Sequence, residues 1–185
     1  MTVKMMLGGA ALAALALTAC EKAENKTVAP ATEAAKEAAG DKTIAEGLGS
    51  SKKFADAAKA AGLDATLAGP GPYTVLVPDD AAFEKMPAGA LDALMKPEGR
   101  SDLTAVLTYH ILPGTILAAD IGKAIDAGKG KAQLPTMGGG VLTATREGDA
   151  IVLADKAGTK ARIVGVEDQR SNGVIHHIDA VMMPS

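Results

Sequence analysis

The side chains whose chemistry could define this chain are few: His110, His176 and His177, the single cysteine Cys20, and the adjacent carboxylates Asp79 and Asp80. Three histidines suggest a metal, but a metal site needs ligands converging on one point with tetrahedral or octahedral geometry. His176 and His177 are neighbours in a strand-like run, and successive strand side chains point to opposite faces. This puts Val174, His176, Ile178, Ala180 and Met182 on one face and His177 with Asp179 on the other, so no metal site is expected. His176 has apolar company and His110 follows an apolar helical stripe. Both are expected as buried structural imidazoles, because an unsatisfied buried polar group costs about 1–3 kcal/mol.

The remaining candidates point away from catalysis. Asp79-Asp80 precedes a helical pattern and reads as a helix cap rather than an acid–base dyad. No Gly-x-Ser-x-Gly elbow occurs. Gly128-Lys129-Gly130-Lys131 and Gly138-Gly139-Gly140 lack the strand-then-helix setting of a phosphate cradle, Asn172-Gly173 reads as a turn, and no cofactor is expected. With a formal charge of −3, no Lys/Arg stripe and aromatics scattered singly, nucleic acid is excluded as a partner.

These residues must be positioned by elements of two kinds. Thr43-Ile44-Ala45-Glu46 has capping-box spacing, and Ser50 or Ser51 can cap a second helix that has Phe54, Ala57, Ala58 and Ala61 on one face and stops at Gly62. A strand over 73–77, short helices through Phe83 and over 88–95, and a helix from Ser101 with Leu103, Val106, Leu107 and His110 on one stripe follow. A short helix over 119–127 comes next. From Lys131 the period becomes alternating, predicting strands near 131–136, 141–146, 150–154, 161–167 and 173–182. Helices first and strands joined by short turns afterwards make an α+β domain with largely antiparallel pairing.

The N-terminal part has a different logic. Lys4 precedes an uncharged apolar run, Met5 to Leu17, that is shorter than the roughly 20 residues needed to span a bilayer, so it targets rather than spans. Leu17-Thr18-Ala19-Cys20 resembles the bacterial lipobox, which implies cleavage before Cys20 and its lipidation. Cleavage removes Lys4 and takes the charge from −3 to −4. With Cys20 as the sole cysteine no intramolecular disulfide can form, so the domain must be held by its core. Glu21 to Asp41 is rich in Ala, Glu, Lys and Thr and cannot bury enough surface to fold; as a coil it spans about 25 Å. The expected organisation is a signal peptide over 1–19, lipidated Cys20 with a tether over 20–41, and one domain over 42–185.

Three stretches of that domain together resemble the fasciclin family. They are Thr74-Val75-Leu76-Val77-Pro78-Asp79-Asp80-Ala81-Ala82-Phe83; Tyr109-His110 ahead of Ile111-Leu112-Pro113-Gly114; and Ser171-Asn172-Gly173-Val174-Ile175-His176-His177-Ile178-Asp179-Ala180-Val181-Met182-Met183-Pro184. The resemblance covers residues 43–184. Leu76 replaces a frequent aromatic, Asp79 a frequent Thr and His177 a frequent aliphatic residue, and there is no Arg-Gly-Asp. What the resemblance implies is a β-sandwich or wedge with several helices packed around it. It also implies a structural motif set of Thr74, Pro78, Phe83, Tyr109, His110, Asn172, Gly173, His176 and Asp179, and a role in adhesion. The expected function is therefore a non-catalytic module in the cell envelope, anchored to a membrane by lipid, that contacts a protein or polysaccharide surface. The alternative is a small-ligand or metal carrier, or a hydrolase, using His177 and Asp179.

Overall fold

In the computed structural model, which describes residues 41–184, the chain first builds a helical layer. Thr43 precedes α1 (Ile44–Gly47), and the Glu46 carboxylate accepts from the Thr43 backbone N–H at 2.7 Å and from its hydroxyl at 3.1 Å. These bonds to the charged form hold the Glu46 carboxyl below the usual range. A 3-10 turn (Leu48–Ser50) leads into α2 (Lys52–Ala61), which stops at left-handed Gly62. Helix α3 (Asp64–Ala68), strand β1 (Tyr73–Pro78), α4 (Asp80–Glu84) and α5 (Ala90–Met95) follow. The 3-10 turn Pro97–Gly99 then leads to α6 (Arg100–Tyr109), β2 (Ile111–Pro113) and α7 (Ala118–Ala127). The C-terminal part is strand throughout: β3 (Lys131–Pro135), β4 (Val141–Glu147), β5 (Ala150–Ala154), β6 (Lys160–Arg170) and β7 (Gly173–Ile178).

The seven strands lie in the order β2-β1-β7-β6-β5-β4-β3. Strand β6 folds the sheet into a wedge. Its first residues pair with β5, its later ones with β7, and the register shifts between Val164 and Asp168 around Gly165, whose φ is +71°. The two ends of the sheet approach each other where Met137 N–H donates to Ile111 C=O at 2.7 Å. Pairing is antiparallel as expected except that β1 and β7, first and last in the chain, run parallel.

That parallel pair is largely buried on both faces, which is why neither strand alternates apolar with charged residues. Val75, Val77 and Ile175 face a core with Phe54, Phe83, Leu103 and Leu107 of the helical layer. Leu76 and Ile178 face a second core, inside the wedge, with Ile121 and Ile125 of α7 and Leu134, Leu142 and Leu153 of the hairpins. By contrast β3 and β4 alternate between buried and exposed, since only one of their faces is covered.

Two local expectations are corrected. Ser51 stands at the start of α2, but its hydroxyl has no partner among the described residues; Asp80 Oδ1 instead accepts the Lys53 backbone N–H at 3.1 Å, so α2 is capped from α4. The last strand ends at Ile178 rather than Met182, because Asp179 turns back onto β6: its carboxylate accepts the Arg162 N–H at 2.7 Å and its own N–H donates to Arg162 C=O. The signal peptide, Cys20 and the tether through residue 40 lie outside the described residues. No described helix is long and apolar enough to cross a membrane.

Candidate functional site

The residues expected at a site fall into two groups once they are placed: struts inside the fold, and the lining of an open groove. His110 caps α6 and is buried. Its Nδ1 lies 2.7 Å from Val106 C=O and must donate, so Nε2 is left to accept the Met182 N–H at 3.1 Å. One neutral imidazole thereby joins α6 to the C-terminal segment, with the Phe54 ring edge-on at 6.3 Å. Burial pushes its pKa down to about 4, against the opposing effect of the Val106 bond. His176 is equally buried and donates from Nε2 to Ile116 C=O at 2.7 Å. Burial lowers its pKa too, opposed by that bond and by the Glu167 charge.

His177 points to the opposite face of β7, as alternation requires, and meets Asp79 Oδ1 at 3.3 Å without the alignment of a hydrogen bond. This corrects the pairing of His177 with Asp179, whose carboxylate is engaged by Arg162. Asp79 precedes α4 but makes no side-chain cap there. Among the described residues no group of three or more His, Cys, Asp or Glu is placed to hold a metal.

Asn172 does far more than turn the chain. Its Oδ1 accepts the Ile44 N–H at 2.8 Å, and its amide donates to Leu67 C=O and Gly69 C=O, each at 2.8 Å. One side chain thus closes the start of α1 and the end of α3 on the entrance to β7. Gly173 is required beside it because a Cβ there would run into Tyr73 C=O. Thr74 works similarly: its hydroxyl donates to Gly114 C=O at 2.7 Å and accepts the Ile116 N–H at 2.8 Å. Pro78 and Phe83 are buried, Phe83 in the helical core.

Tyr109, adjacent to His110, belongs to the second group. A groove of about 470 Å³ is lined by Tyr109, Gln133, Gly138 to Val141, Thr143, Asp155, Lys156 and Pro184, within the size range of small-ligand sites. The glycines make it. A Cβ on Gly140 would penetrate the Tyr109 ring, one on Gly138 would stand 3.0 Å from the Tyr109 nitrogen, and Gly139 has φ +82°. Gln133 and Thr143 are cross-strand partners on the uncovered face of the β3–β4 hairpin. Burial and the Asp155 charge raise the Tyr109 pKa, with the Lys156 backbone opposing. Asp155 is itself engaged, accepting from Thr159 N at 2.8 Å and Met183 N at 3.4 Å. In the sequence the three glycines fall between two expected strands, as one of the short turns that join them. The signal that could have found the groove is their run of three, which is longer than a hairpin turn needs.

Fold and site together define a small α+β domain in which Thr74, His110, Asn172 and His176 tie the scaffold together and Gln133, Thr143 and Lys156 line an open groove. The chain belongs to the fasciclin family: the Fasciclin domain model matches residues 49–184. It is 36% identical over 132 residues to protein sll1483 of Synechocystis, covering 69% of this chain and 64% of that protein. It is 37% identical over 130 residues to transforming growth factor-beta-induced protein ig-h3 of Sus scrofa, covering 69% and 17%. To the immunogenic protein MPB70 of Mycobacterium bovis it is 34% identical over 114 residues, covering 62% and 51%. The aligned segment spans less than two thirds of each of these relatives. The structure of a FAS1 domain pair from the insect cell adhesion molecule fasciclin I shares the fold, with a TM-score of 0.53 at 20% identity over 71% of this chain and 43% of that one. Fasciclin domains are associated with cell adhesion and extracellular binding and are generally not enzymes.

Proposed function

We propose that this chain is a non-catalytic binding module of the cell envelope, tethered to a membrane by lipid on Cys20 and making contact with a matrix or envelope partner through its exposed surface. Family membership supports the adhesive reading, and the lipobox-like Leu17-Thr18-Ala19-Cys20 supports the anchor. The observation that carries it is the placement of the chain's entry. Lys42 C=O accepts from the Ser171 N–H at 3.0 Å, at the finish of β6, whereas the groove lies beside Ala154, which pairs with Lys160 at the start of β6. The eleven residues of β6, bent around Gly165, lie between the two ends. A tether attached at Lys42 thus joins the domain at the end of β6 away from the groove, which supports a groove left open to a partner.

A clean deletion strain, complemented with the full chain or with Cys20→Ala, tests this in a surface-attachment assay. Attachment is expected to fall on deletion and to be restored by the full chain only; radiolabelled palmitate is expected to enter the full chain and not the variant. Attachment unaltered by deletion on every surface tried would remove the adhesive role, and a Cys20→Ala chain that stays in the membrane fraction would remove the anchor.

A further inference from the structure

Three of the polar side chains that line the groove are not used by the fold. The Gln133 amide, the Thr143 hydroxyl and the Lys156 ammonium line the groove without a hydrogen-bond or ion-pair partner among the described residues. Asp155 brings a carboxylate to the same place, but its two oxygens are held by Thr159 and Met183 backbone N–H groups, and the residue is only 7% exposed. Lys156, exposed at the turn after β5, is thus the one accessible charge in the lining. Beside these groups the lining includes two apolar residues, Val141, 45% exposed, and the exposed Pro184.

These features select among ligands. Amide and hydroxyl groups both donate and accept, which suits a ligand carrying hydroxyls that do the same. A cation beside them suits a carboxylate. The Tyr109 ring is 3% exposed and packed beneath Gly140, so it offers no face for stacking a nucleobase. An extended peptide would add to the outer edge of β3, the last strand of the sheet, whereas the groove is lined by the side-chain face of β3 and β4. Carbon–hydrogen faces of sugar rings fit Val141 and Pro184.

We propose that the groove binds a segment of an acidic polysaccharide, with Lys156 on a uronate carboxylate and Gln133 and Thr143 on ring hydroxyls. This rests on the reading of the chain as an envelope binding module and names the partner class for it.

Calorimetric titration of the full chain with a galacturonic acid hexamer, with cellohexaose and with hexaglutamate tests it. The uronate hexamer is expected to bind at one site, cellohexaose more weakly, and hexaglutamate not measurably. Lys156→Ala is expected to weaken uronate binding about tenfold, as loss of a charge-assisted hydrogen bond does. Gln133→Ala combined with Thr143→Val weakens both sugars, and Lys59→Ala on α2 changes neither. In the wild-type chain the amide resonances of Gly138 to Gly140 shift on titration, a readout that needs no variant. No saturable uronate binding, equal binding by the Lys156→Ala chain, or a preference for hexaglutamate would overturn the assignment. If deletion abolishes attachment while no hexamer binds, the groove assignment falls and the adhesive role stands; if the hexamer binds while attachment is unaltered, the reverse holds.

Discussion

The two ends of the wedge use polar side chains in opposite ways. Where the chain enters the fold, Asn172 gives its whole amide to backbone groups of Ile44, Leu67 and Gly69. Ser171 holds the Lys42 carbonyl through both its N–H and its hydroxyl. At the far end, Gln133 presents an amide of the same chemistry to solvent on the open face of β3. A buried amide must be satisfied within the fold, so the first end is rigid scaffold. An exposed one costs nothing to leave free, so the second is available to a ligand. The lesson is that residue type does not separate site from scaffold here; burial does.

This contrast can be broken by substitution. Asn172→Ala leaves one buried N–H and two carbonyls without their partner, and about 3–5 kcal/mol of stability is expected to go, read as a lower denaturant midpoint. If Asn172→Ala and Gln133→Ala proved equally costly, the contrast would collapse.

Acid sharpens it next. His110 stays neutral in the fold with a pKa near 4, while in the unfolded chain it takes up a proton near 6.5. Stability is therefore full above about pH 6.5 and is lost as pH falls toward 4, by about 1.4 kcal/mol per pH unit for this group. His176 acts in the same direction. Equilibrium unfolding as a function of pH should show that slope, and His110→Gln should flatten it at the cost of lower stability at pH 7. A flat profile in the wild-type chain would deny the buried, neutral imidazole.

Gly140→Ala is expected to cost about 1–3 kcal/mol, since the new methyl must displace the Tyr109 ring. Tyrosine absorbance should register the movement, because Tyr109 and Tyr73 are the chain's only tyrosines and it has no tryptophan. Smallest is Gln133→Ala, expected within about 0.5 kcal/mol of the wild type by thermal melting. A large loss there would mean that the groove is scaffold after all.

Much of this was legible in the sequence. Gly62 stops α2 as the helical pattern requires, and the strands from Lys131 onward begin within a residue of where alternation puts them. The opposite faces of His176 and His177 follow from strand geometry alone. Asp80 was read correctly as a capping residue and assigned to the wrong helix; it closes α2, 27 residues earlier. His177 was given a neighbour in sequence, Asp179, where the fold supplies Asp79 from the end of β1.

Local periodicity and turn chemistry thus determined the kinds of element, where the strands begin and most of the buried side chains, because those depend on a few consecutive residues and on solvent. Which carboxylate meets which imidazole, which helix a cap serves, the parallel match of β1 with β7 and the groove between Tyr109 and the three glycines were decided only by the tertiary structure. Each joins residues far apart along the chain, and their meeting depends on how the bend in β6 brings two hydrophobic cores together.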